Sequence, residues 1–73
     1  MKRLGEAVRT ASGLVIVQTE GTPRIGAEAI DESLDTVGRV VDVFGPVESP
    51  YAAVTPAGTT SVSQVVGQTL YTE

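Results

Sequence analysis

The chain has 73 residues, nine acidic and five basic side chains, a formal charge of −4, and no His, Cys or Trp. One domain, residues 1–73, is all that such a length accommodates, and without Cys or His there is no disulfide, no thiol nucleophile, no imidazole base and neither of the usual zinc ligands. Stability is left to barrel closure or association, and the acidic balance opposes direct binding to a phosphate backbone, whose affinity comes mostly from Lys and Arg.

The opening residues imitate a signal peptide with Lys2 and Arg3, but Glu6 and Arg9 interrupt the apolar run that would have to follow. The longest purely aliphatic run, Leu14 to Val17, is far short of the roughly 20 residues of a membrane span, so the expectation is a soluble, cytoplasmic protein. Val recurs in short runs separated by Gly or Pro, with no sustained helical spacing, which reads as all-β.

In chain order, a first strand at Leu4 to Thr10 leads through Ala11-Ser12-Gly13 into a second at Leu14 to Thr19, a hairpin. A short third strand is placed at Ala27 to Ile30, and Asp31 to Asp35 has turn composition. The most apolar stretch, Thr36 to Phe44, forms the fourth strand and is closed by Gly45-Pro46. A fifth covers Tyr51 to Thr55, and Gln68 to Thr72 forms the last. Between them Ala57 to Gln68, rich in Thr, Ser, Gly and Gln, is read as a loop or one irregular turn pinned by Val62, Val65 and Val66. Six short strands at such spacing predict a small β-barrel or sandwich, and closure of a barrel removes its aggregation-prone edges.

The fourth strand is the most informative. Strict alternation puts Val37, Arg39, Val41 and Val43 on one face and Gly38, Val40, Asp42 and Phe44 on the other, so both faces are largely apolar. A small barrel has one interior, so the outer face must be covered by the loop Ala57 to Gln68 or by a protein partner. The bend Gly45-Pro46-Val47-Glu48-Ser49-Pro50 favours a partner, because two prolines fix the backbone in advance and lower the ordering cost of association. By pattern alone Phe44 is read as a core residue of a tight hairpin, whereas Val47 is not.

The run VGRVVDVFGPVESPYAAVTP, Val37 to Pro56, followed by VGQTLYTE, resembles the core domain of the GAR/NAF family, accessory subunits of the H/ACA ribonucleoproteins that make pseudouridine in RNA. The matching features are the Gly38 strand, the Val43 to Val47 turn, the Pro50-Tyr51 pair, the Val54 to Pro56 strand end and the Gly67, Leu70 and Tyr71 close, and LGEAVRTASGLVIVQT fits the family's opening hairpin. The resemblance implies a six-stranded split β-barrel like those of translation factors. It further implies a non-catalytic archaeal subunit that binds the catalytic domain of the dyskerin-like pseudouridine synthase, meets guide RNA and the other H/ACA proteins only through the assembled particle, and promotes loading and release of substrate RNA. Carried over by position, the partner surface comprises Val41, Val43, Phe44, Gly45, Pro46 and Val47, with Pro50 and Tyr51 supporting the bend. No catalytic, cofactor or metal residue is assigned.

The chain departs from eukaryotic members in lacking Arg/Gly-rich tails, and its single Lys against nine acids suits a salt-adapted organism. Alternative readings are an assembly factor of the NAF type and an oligonucleotide-binding barrel, though Phe44, Tyr51 and Tyr71 are few platforms for bases. Asp31, Glu32 and Asp35 lack the spacing of a calcium loop and read as a solvated turn, and Arg3, Arg9 and Arg24 read as surface ion-pairing groups.

Overall fold

Strands β1 (Lys2–Ala11), β2 (Leu14–Thr19), β3 (Glu28–Ile30), β4 (Thr36–Phe44), β5 (Tyr51–Pro56) and β6 (Thr69–Thr72) close into one antiparallel barrel in the order β1-β2-β5-β4-β3-β6. A computed structural model describes residues 2–58 and 60–72. The all-β reading and the six-stranded barrel are therefore correct, with one addition, a single helical turn α1 (Val62–Val65).

The interior is filled by small and β-branched side chains, Leu4, Ala7, Val15, Val17, Ala29, Val37, Val40, Ala52, Val54, Val65 and Leu70. On β2 and β5 the alternation is regular: Val15 and Val17 lie in this core, as do Ala52 and Val54, while Ile16 and Ala53 between them do not belong to it.

Strand β4 breaks the alternation twice. Ala29 pairs with Gly38 but its neighbour Ile30 pairs with Thr36, so Val37 is an extra residue, and Val37 and Gly38 are both buried. Further on, Val40 pairs with Val54 and Asp42 with the adjacent Ala53, leaving Val41 as a second insertion. Such a bulge flips the facing of every residue beyond it. The strict two-face assignment is thereby corrected: Val37, Val40 and Val43 pack on the core, whereas Arg39, Val41, Asp42 and Phe44 are exposed.

Gly38 is required where β4 crosses β5. A Cβ built on it would stand 2.0 Å from the Thr55 carbonyl oxygen and 2.9 Å from a Val54 methyl, so only a residue without a side chain lets these backbones pair.

The segment 57–68 closes one end of the barrel. Ala57 donates its N–H to the Val37 carbonyl, Thr60 adds its hydroxyl to the same oxygen, and Gly67 donates to Ala7 on β1. These ties carry α1 over the opening, where Val65 enters the core and Val62 packs beside it, while Val66 stays partly exposed.

Candidate functional site

Because α1 plugs the barrel end, the loop does not blanket the outer side of β4. Val41 keeps 43% and Phe44 40% of its surface exposed, and Val47 is 91% exposed. Phe44 is therefore a surface residue, which corrects the core reading drawn from the pattern alone, and Val47 stands clear of the body of the protein.

The bend that carries these residues is held from several sides. Phe44 pairs across the ladder with Tyr51, and their rings stack with centroids 5.8 Å apart and planes 23° from parallel. Gly45 adopts φ of +94°, and a Cβ there would stand 3.0 Å from the Tyr51 ring, so glycine suits both the backbone and the packing. Ser49 closes the turn by donating its N–H to the Pro46 carbonyl at 3.3 Å. Val43 packs against the core, Pro50 is buried and Tyr51 is half-buried, so these three support the bend, while Val41, Phe44, Gly45, Pro46 and Val47 form its surface.

Thr19, at the end of β2, is a residue that sequence reasoning missed. It is buried, donates its N–H to the Pro50 carbonyl at 3.1 Å, and has its hydroxyl 2.7 Å from that same oxygen and 2.8 Å from the Gly21 carbonyl. A threonine in a strand looks like any other strand former; its role depends on a partner 31 residues away.

Beside the bend, the outer surface of β1, β2, β5 and β4 forms a continuous sheet. One row runs Arg9, Ile16, Ala53, Asp42 and a second runs Glu6, Gln18, Tyr51, Phe44. Ile16 and Ala53 are each only 4% exposed although outside the core, so a second apolar layer lies on this face, flanked by the half-covered bulge residues Val8 and Val41. Its charged rim is Arg9 at one edge and Asp42 at the other, the latter held by the Val43 N–H at 2.9 Å.

The remaining candidates have local partners. Asp31 accepts N–H groups from Ser33 and Asp35, both at 2.9 Å, which makes the carboxylate cluster a self-capped turn. Among the described residues no group of three or more His, Cys, Asp or Glu is placed to hold a metal ion. Arg3 pairs with Glu20 at 2.8 Å, an exposed contact worth at most about 1 kcal/mol. A concavity of about 650 Å³ lies between the β3–β4 turn and the 57–68 segment, lined by groups such as Asp35, Thr60, Ser61 and Gln64, with no basic group among them. Among the described residues no helix is long and apolar enough to cross a membrane.

No protein-family model matches the chain. A protein of Methanothermobacter thermautotrophicus, described only as uncharacterized, is 31% identical over 75 residues, covering 97% of this chain and 82% of that one.

Proposed function

The chain belongs to the same family as that uncharacterized protein of Methanothermobacter thermautotrophicus, and for this member we propose the role of a non-catalytic subunit of the H/ACA guide-RNA pseudouridylation particle. In this role it works in the cytoplasm of an archaeal cell, docks on the catalytic domain of the pseudouridine synthase, and promotes loading and release of substrate RNA during ribosomal RNA modification. The synthase supplies the catalytic carboxylate, and contact with guide RNA comes only through the particle.

The observation that carries the reading is the surface of the β4–β5 bend: Val41, Phe44 and Val47 exposed together on a backbone fixed by Pro46, Pro50 and the Thr19 tie. Apolar anchors on a preorganised turn bind with little ordering cost, the usual design of a protein-docking hot spot. An oligonucleotide-binding barrel is the weaker reading, because Phe44 and Tyr51 stack on each other and Arg3 is engaged by Glu20.

Mixing the protein with its cognate synthase should give a stoichiometric complex on size exclusion, and guide RNA alone should give no shift. Phe44→Asp or Val47→Asp should abolish the complex, since an unpaired charge at an apolar contact is costly. Val47 is so exposed that its replacement should leave folding intact, so a Val47→Asp variant that still binds would place the contact elsewhere.

A further inference from the structure

The outer face of β1, β2, β5 and β4 has a charge pattern that complements itself. In the row Arg9, Ile16, Ala53, Asp42 each residue pairs directly with the next across the ladder, so all four project to the same side. The cation and the anion are separated by three strand spacings, about 14 Å, with the covered apolar pair between them.

A two-fold axis lying in the plane of this face, parallel to the strands and between β2 and β5, exchanges β1 of one copy with β4 of the other. Under that operation Arg9 faces Asp42 of the second copy twice, once on each side of the axis, and Ile16 faces Ala53. An axis perpendicular to the strands would instead set Arg9 against Arg9. The allowed arrangement keeps the strands of the two sheets nearly aligned, as in face-to-face sheet packing, and is isologous as a closed dimer requires.

The geometry points to a second copy of this chain as the occupant of the face when the protein is free, with Arg9–Asp42 pairs setting the register and Val8, Val41 and Phe44 partly shielded from water. The inference rests on the reading of this face as an interface and adds its regulation: dimer and synthase complex compete for Val41 and Phe44, so the dimer is a storage form that the synthase must open. The net charge of −4 on each copy opposes association, which makes the dimer weak and reversible.

The test is sedimentation velocity of the full chain from about 1 μM to about 1 mM, the range of weak contacts. The wild type should pass from monomer to dimer across it. Arg9→Glu and Asp42→Arg should each remain monomeric, because like charges then meet on both sides of the axis. An equimolar mixture of the two variants should recover the dimer, since every pair is again opposite in sign, and neither misfolding nor a different contact face produces that recovery. A wild type that stays monomeric, single variants that dimerise as well as wild type, or a mixture that stays monomeric overturns the inference. Neither substitution enters the synthase experiment. A monomeric protein that still binds synthase therefore removes only the dimer, and a dimer that ignores synthase removes only the functional proposal.

Discussion

The turns at the two ends of β4 are both well fixed, by opposite means. The Asp31 to Asp35 turn satisfies itself: the Asp31 carboxylate takes two backbone N–H groups, and the Asp31 N–H goes to the Asp35 carbonyl at 3.0 Å. The Gly45 to Pro50 turn is fixed by prolines and by Thr19 from a neighbouring strand, and it leaves Val47 91% exposed. A turn that consumes its own polar groups asks nothing of its surroundings. One that holds apolar side chains rigidly in water is stabilised further only by an outside contact.

The strand between them is the place to break both ends at once. Gly38→Ala puts a methyl group within 2.0 Å of the Thr55 oxygen, where the neighbouring atoms are backbone and cannot yield cheaply. It should lower stability by about 3 kcal/mol or more, the largest effect expected here, and should erase binding along with it. Chemical denaturation followed by circular dichroism checks this, and a loss under about 1 kcal/mol would mean that β4 and β5 can separate at that point.

Much of this frame was legible. The bounds of β2 and β4 follow from apolar runs cut by Gly and Pro, and β6 was expected within one residue of its start. The facing of β4 was not legible beyond Val40, because a bulge is set by the pairing of two strands and leaves no mark on an alternating sequence. Hence Val43 was placed with Arg39 and Val41, and Phe44 with Val40, each on the wrong side. The turn Val62 to Val65 was equally hidden, since it spans four residues and its N-cap residue Ser61 makes no side-chain cap. The exposed apolar bend was legible at Val47, where two prolines leave no room for a regular strand, and obscure at Thr19, whose function is made by folding.

A middling effect should separate the two turns. Thr19→Val keeps the shape of the side chain and deletes the hydroxyl that reaches the Pro50 and Gly21 carbonyls. The loss should be about 1–2 kcal/mol, because a buried acceptor loses a partner. Synthase affinity should fall beyond what stability explains, since the Pro50 end of the bend is loosened while Asp31 to Asp35 is untouched. Equal affinity in the variant would show that the prolines alone hold the bend.

The smallest effect belongs to the opposite end and should have the opposite sign. Leu34 sits in the self-capped turn with φ of +69°, a left-handed conformation that bulky residues adopt at a cost, and it is 67% exposed, so little packing offsets the strain. Asn occupies that region more readily than Leu. Leu34→Asn should raise stability by about 0.5 kcal/mol, read as a rise in the thermal midpoint, with no change in synthase affinity. A drop in affinity would mean that Leu34, like Val47, is held in water for a partner, and the distinction between a self-sufficient turn and a docking turn would have to be abandoned.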